Sequence, residues 1–167
     1  MTAEPPVQPP AQPRAVRRPR TPRPSDWRVA VWRTFLRAHA RVAGELEHDL
    51  TARLGLPLAW YDVLVQLAEA PGRRLRMAEL ADRVLLSRSG LTRLIDRLQT
   101  AGLVRREPSA DDARGTFTVL TEDGLARLRA AAPVHLAGVD RHWLRHFTDE
   151  ELRVLGELLS RVAPDSP

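Results

Sequence analysis

Hydroxyl and guanidinium side chains cluster on one short stretch of the chain, with a spacing that suits contacts with double-stranded DNA. Leu91, Leu94, Ile95 and Leu98 recur at helical spacing and predict a helix with one apolar face. The helix is expected to end at Gly102. At the start of this predicted helix, or opposite its apolar face, stand Ser87, Arg88, Ser89, Thr92, Arg93 and Arg97. A helix fits the major groove, where arginine binds guanine and hydroxyls suit phosphates or bases. These six residues are therefore predicted to bind DNA; an ordinary solvated helix face is the alternative.

A β-hairpin is predicted directly after this helix. Val104 alternates with charged neighbours, residues 108–115 are rich in turn-forming types, and Phe117 resumes a β pattern. Arg114 stands near the predicted tip beside Asp111 and Asp112, and we expect one of these two acids, Asp112 in preference, to be engaged with an arginine rather than to face DNA. An arginine oriented in this way suits the narrow minor groove, so Arg114 joins the predicted DNA-binding set. The alternative is a flexible charged loop.

The elements around this pair are predicted to be helices. Ser25 is the expected N-cap of a long amphipathic helix that runs to Gly55, and Pro57 opens a second helix. A short helix over about residues 77–84 is joined to the DNA-reading helix by a tight connection at residues 85–86, which makes a helix-turn-helix.

Two more helices are predicted after the hairpin. Thr121 caps a long one, in which Pro133 should cause a kink. Thr148 and Glu151 form the capping box of the last. The predicted order is helix, helix, helix-turn-helix, hairpin, helix, helix.

Composition narrows the class of protein. All 26 basic residues are arginine, against 21 acids, for a net charge of +5; arginine suits phosphates, although G+C-rich codon usage has the same effect on the count. The absence of cysteine excludes disulfides, thiol switches and cysteine-ligated metal sites. No apolar run approaches the roughly 20 residues that cross a bilayer, so no membrane partner and a cytoplasmic location are expected.

The first 24 residues differ in composition from the rest. They contain eight of the fourteen prolines and five arginines against a single acid. Such a segment buries too little apolar surface to offset its ordering entropy, which predicts a disordered Pro/Arg-rich arm over residues 1–24. The arm is either a solvated tail or a grip on phosphates.

The string SRSGLTRLIDRLQTAGLVRREPSADDARGTFTVLTEDG resembles the helix-turn-helix and wing of the MarR family of transcriptional regulators. The resemblance covers residues 26–163. Its most specific pieces are Ser89, Thr92, Arg93, Leu98, the run Gly102-Leu103-Val104, Asp112, Arg114, the pair Leu120-Thr121 and Gly124. Gly115 stands where the family usually has a second basic residue, so the expected minor-groove contact is weaker or is supplied from elsewhere in the protein.

The resemblance implies a mainly α (α+β) winged helix-turn-helix fold with long N- and C-terminal dimerisation helices. The expected division is a disordered arm at 1–24, an N-terminal dimerisation helix at 25–56, a DNA-binding region at 57–121, C-terminal dimerisation helices at 122–163 and a tail at 164–167. The expected state is a homodimer on a palindromic operator, with half-sites roughly 34 Å apart.

The resemblance also implies a repressor that is released by a small aromatic or phenolic anion. The effector would lie where the dimerisation helices meet the helix-turn-helix, a junction expected to be lined by Trp27, Trp32, Phe35, His39, Trp60, Tyr61, Asp62 and Arg93. In a subgroup that senses urate, a tryptophan, an aspartate and an arginine act in comparable places, here Trp27, Asp62 and Arg93. The alternative is that these aromatic residues belong to the core.

Three other interpretations compete with this one. His142 and His146, one helical turn apart, have a spacing that can hold a metal, which would suit a zinc-responsive regulator of the same fold. The alternative is that they are surface or dimer-interface histidines, and no metal or cofactor is expected. An enzyme is not expected, because the sequence has no glycine-rich phosphate loop, nucleophile elbow or paired-carboxylate cluster. A helical protein-interaction module without DNA binding would leave the outward arginines unexplained.

Overall fold

The fold is mostly helical, with a small antiparallel sheet. The computed structural model describes residues 21, 23–84, 88–108 and 116–163, except the side chains of Arg88 and Ser89. The helices are α1 (Trp27–Leu54), α2 (Leu58–Glu69), α3 (Met77–Arg83), α4 (Arg88–Thr100), α5 (Glu122–His142) and α6 (Asp149–Ser160), and the strands are β1 (Arg74–Arg76), β2 (Val104–Pro108) and β3 (Thr116–Leu120). Contacts divide the chain into two compact units, Met1–Leu36 and Arg37–Pro167. No helix within the described ranges is long and apolar enough to cross a membrane.

The first helix begins one residue later than the sequence predicts. Asp26, not Ser25, is the cap, because its carboxylate accepts a hydrogen bond of 3.0 Å from the backbone N–H of Arg28. The side chain of Arg28 also donates to this carboxylate and lowers the pKa of Asp26 to about 2. Aspartate at this position satisfies a free N–H group and suits the positive end of the helix.

The caps predicted for the last two helices are confirmed. The hydroxyl of Thr121 accepts a hydrogen bond of 3.0 Å from the backbone N–H of Gly124 at the start of α5. Thr148 and Glu151 form a reciprocal capping box at the start of α6. Helix α5 continues as one element through Pro133, and the kink expected there stays a prediction.

The sheet has one more strand than the predicted hairpin. Its order is β1-β3-β2, and β1 pairs antiparallel with β3 so that Leu75 lies opposite Thr118. A strand of three residues is too short to show a period of two. Its partner is also some 40 residues away in the sequence, so the pairing depends on the tertiary fold.

The core lies in the unit Arg37–Pro167 and includes the inner side of the sheet. Leu75, Val104 and Leu120 from the three strands belong to one cluster of buried residues with helical side chains. The predicted apolar face of α4 is confirmed by Leu91, Ile95 and Leu98, which are fully buried, with Leu94 half-buried against the cluster. Gly102 ends this segment with a φ of +74°, a conformation that glycine adopts without a steric cost.

Candidate nucleic-acid interface and an adjoining pocket

Helix α4 presents a polar face opposite its buried one. Thr92, Arg93 and Arg97 are exposed on the first three turns. Because Leu91, Ile95 and Leu98 fix which side of the helix meets the core, the two arginines must face away from it. Both guanidinium groups are therefore available to an anionic partner.

Several of the residues predicted to bind DNA are not placed. Ser87 and Arg114 lie outside the described residues, as do Asp112 and the connection at residues 85–86. The backbone of Arg88 and Ser89 begins α4, but their side chains also lie outside the described part. The roles of these residues stay predictions.

A contact that the sequence did not indicate joins α4 to the hairpin strand β2. The guanidinium of Arg106 lies 2.7 Å from a carboxylate oxygen of Asp96 and donates a hydrogen bond of 3.1 Å to the side-chain oxygen of Gln99. One planar guanidinium thus contacts two positions on the last turns of α4. Since Arg106 lies on β2, this contact joins α4 directly to the strand pair that follows it.

A cavity of about 330 Å³ opens between α2, the end of α3 and α5. It is lined by Tyr61, Asp62, Val65, Gln66, Arg83, Val84, His135 and Leu136. The rings of Tyr61 and His135 are stacked, with centroids 4.3 Å apart. The cavity therefore combines an aromatic wall with a carboxyl, an amide and a guanidinium group.

Burial shifts the titration of three groups at this cavity. Desolvation lowers the pKa of His135, whose Nδ1 is buried and has no hydrogen-bond partner among the described residues. Burial, with a smaller contribution from Glu47, raises the pKa of Asp62, and burial likewise raises that of Tyr61. The imidazole and the phenol are therefore neutral near neutral pH, and the carboxyl binds a proton more readily than an exposed aspartate does.

The structure brings together only part of the predicted ligand-binding set. Tyr61 and Asp62 line the cavity, whereas Trp60 packs half-buried against the core. Arg93 lies on the exposed face of α4, and His39 is exposed on α1. The cation and the second ring at the cavity are Arg83 and His135, which sequence reasoning missed because neither has a distinguishing local pattern.

Trp27 and Trp32 belong to the separate unit Met1–Leu36. Both are exposed, at 74% and 56% of their surface, and Trp32 stacks on Phe35 with ring centroids 5.7 Å apart. Their predicted role in ligand binding stays a prediction.

The histidine pair does not lie on one helix, contrary to the prediction. Helix α5 ends at His142, and His146 belongs to a separate 3₁₀ turn, because Trp143 leaves the helical conformation. His142 is occupied by Asp49, with Nε2 and Oδ2 3.0 Å apart. Within the described ranges, no group of three or more metal-ligating side chains is found.

A helix-turn-helix whose second helix has an exposed basic face, followed by a strand pair, defines a winged-helix DNA-binding protein. The comparisons with known proteins agree. Residues 54–115 match a family model described as the MarR family. The chain is 31% identical over 122 residues to the HTH-type transcriptional repressor YetL of Bacillus subtilis, which covers 71% of this chain and 72% of the relative.

Two solved structures from Streptomyces coelicolor are also similar. The MarR family regulator AbsC has a TM-score of 0.77 and 40% identity, over 83% of this chain and 93% of its own. Sco3205, a MarR family regulator solved in complex with DNA, has a TM-score of 0.79 and 38% identity, over 87% and 90%. The chain belongs to the MarR family and is a DNA-binding transcriptional regulator rather than an enzyme.

Proposed function

We propose that this protein is a homodimeric repressor that reads a palindromic operator and is released from it by a small aromatic or phenolic anion. In each protomer α4 enters the major groove, and the hairpin loop at residues 109–115 reaches the neighbouring minor groove. The observation that carries the DNA-binding part is the exposed face of α4 with Arg93 and Arg97, set against a fully buried leucine face. Among the similar proteins, YetL is named a repressor and Sco3205 was solved with DNA.

Exposed apolar side chains support the dimer. On the first part of α1 they are Trp27, Val31, Trp32, Phe35 and Leu36, and on α6 they are Val154, Leu158 and Leu159, each exposed by 39% or more. Large apolar side chains at this density on a surface mark an interaction site. A second copy of the same chain covers both helices in the dimer that we propose, with two α4 helices one DNA turn apart.

The cavity beside Tyr61 supports the effector. A flat ring stacks against Tyr61 and His135, Arg83 binds the anionic group, and Asp62 supplies a further hydrogen bond. Arg83 is the last residue of α3, directly before the turn of the helix-turn-helix. A ligand held there therefore acts on the orientation of α4 relative to the rest of the fold.

Operator binding is tested with the purified protein and a set of genomic fragments selected by footprinting. Arg93→Ala is expected to weaken binding to the best fragment by about 1–3 kcal/mol per half-site, roughly 5- to 150-fold for each, because each protomer loses one bidentate base contact. Arg129→Ala, an exposed arginine on α5, is the matched control and leaves binding unchanged. If the Arg93→Ala variant binds with wild-type affinity, Arg93 does not contact the bases and other residues must do so.

The effector site is tested with benzoate and with cyclohexanecarboxylate, which has the same charge but no aromatic ring. Benzoate is expected to raise the melting temperature and release operator DNA, and the saturated acid to do so less, because only a flat ring stacks on Tyr61. Arg83→Gln should abolish the benzoate effect and leave DNA binding intact. If the two acids have equal effects, the aromatic wall does not select the ligand, and this part of the proposal is refuted.

A further inference from the structure

The outer face of the sheet, on the side away from the core, carries a group of arginines. Strand register puts Arg76, Phe117 and Glu107 side by side on this face, and Arg74, Val119 and Arg105 on the next rung. Cross-strand partners point to the same side of a sheet, and the residues between them, such as Leu75, belong to the core. These six residues together make up the outer face, in which Val119 is buried.

Two arginines of the outer face are held over one aromatic ring. The guanidinium carbon of Arg74 lies 4.8 Å from the centroid of Phe117, and that of Arg76 lies 5.1 Å from it. Both distances are within the range of a cation–π interaction. The ring therefore fixes two like charges close together at the surface, where each would otherwise sample many rotamers.

The charge of the outer face is positive, with three arginines against one glutamate. That glutamate, Glu107, lies 2.6 Å from Arg105 on its own strand. The carboxylate nearest in sequence to β1, Glu79, accepts a hydrogen bond of 2.9 Å from the backbone of Arg76 as part of the α3 cap. Each of these two acids thus has a described partner within its own element or cap.

The position of this face points to its partner. The rung with Arg76 and Phe117 is next to the last described rung of the hairpin, Pro108 opposite Thr116, and residues 109–115, the predicted hairpin loop, lie beyond it outside the described part. Successive rungs are about 3.3 Å apart, so Arg76 stands beside the base of that loop. If the loop enters the minor groove as proposed, the phosphates that border this groove lie beside the same edge of the sheet.

We infer that Arg74 and Arg76, positioned by Phe117, form a second phosphate-binding surface that grips the DNA backbone next to the hairpin loop. This surface rests on the proposed function, because it needs the loop to be at the DNA. It supplies backbone affinity without reading bases. It also compensates for Gly115, which stands where a second basic residue would strengthen the minor-groove contact of Arg114.

The salt dependence of binding tests the arginines. Each phosphate contact contributes about 0.9 to the slope of log K against log salt, and a dimer carries two copies of the face. Arg74→Gln and Arg76→Gln are each expected to reduce this slope by about two per dimer and to weaken binding roughly two- to fivefold per contact, equally for operator and random duplexes. Arg129→Gln is the control with the same loss of charge on α5 and leaves the slope unchanged.

Variants of Phe117 test the positioning role. Phe117→Leu keeps both charges but removes the ring, so affinity should fall roughly two- to fivefold while the salt slope stays at the wild-type value. Phe117→Tyr restores the ring and should restore the affinity. Melting temperatures measured for the same samples show whether each variant is folded, and the two arginine-to-glutamine variants carry the test of the surface if the leucine variant is not.

The outcomes separate this inference from the proposed function. If wild type binds the operator, Arg93→Ala weakens it and both glutamine variants keep the wild-type slope, the second phosphate surface is refuted and the proposed operator binding stands. If wild type binds no duplex at low salt, the proposed function itself fails. A loss of affinity in the glutamine variants that is restricted to the operator also overturns the inference, because phosphate contacts do not discriminate sequence.

Discussion

The contact of Arg106 with α4 predicts a measurable coupling between the hairpin and the recognition helix. Arg106 and Asp96 are 2.7 Å apart, with side chains 31% and 53% exposed. An ion pair with this exposure is worth about 0.2–1 kcal/mol, because solvent screens it. The hydrogen bond from Arg106 to Gln99 holds the guanidinium in place, which lowers the side-chain entropy lost in pairing with Asp96 and puts the expected value in the upper half of that range.

A double-mutant cycle measures this coupling. Asp96→Ala, Arg106→Ala and the double variant are compared with wild type by urea unfolding, with an expected coupling of about 0.5–1 kcal/mol at low salt that shrinks as salt is added. The pair of Arg105 and Glu107 is the matched control, since both lie on β2 and their coupling does not join two elements.

The same four proteins show whether the contact matters for DNA. Asp96→Ala removes a negative charge that would lie near the DNA in the proposed complex, and this by itself should strengthen binding. If the contact orients the hairpin, this gain is offset, and the exchanged pair Asp96→Arg with Arg106→Asp should bind better than either single exchange. The coupling is refuted if two results are found together. The effects of the two single variants on stability add up to that of the double variant within about 0.3 kcal/mol, and the exchanged pair restores no DNA binding.

Further predictions concern packing and titration. Gly124→Ala should destabilise the fold by about 1–3 kcal/mol, because a Cβ there would overlap the backbone of Leu103, whereas Gly156→Ala, with open space around it, should be neutral or stabilising in urea unfolding. His135 has a lowered pKa when folded, so the unfolded chain binds more protons below about pH 6.5 and stability should fall as the pH drops through that value. His135→Phe should flatten this decline between pH 7 and 5; an identical pH profile in wild type and variant would contradict the assignment. Leu46→Arg, at a buried position on α1, should cost about 3 kcal/mol or more and lose DNA binding indirectly, and a normal dimer by gel filtration with normal melting would count against it.

Patterns within one element could be read from the sequence. The buried face of α4, the caps at Thr121 and Thr148 and the glycine at residue 102 were all predicted, because each depends on residues close to one another in the chain. The family could be recognised for the same reason, since its motif lies in one continuous stretch. The cap at Ser25 was wrong by one residue because two neighbouring side chains can both accept the bond and only the helix start decides between them.

Contacts between distant parts of the chain needed the tertiary structure. Strand β1 exists because β3 pairs with it, and the two arginines over Phe117, the contact of Arg106 with Asp96 and the stacking of His135 on Tyr61 each join residues from different elements. The hydrophobic periodicity of a single element contains no information about such pairs. The sequence by itself determined the amphipathic pattern of α4 and the family, because hydrophobic periodicity and caps are local. The fold alone decided which charged and aromatic side chains meet, because packing brings them together across the chain.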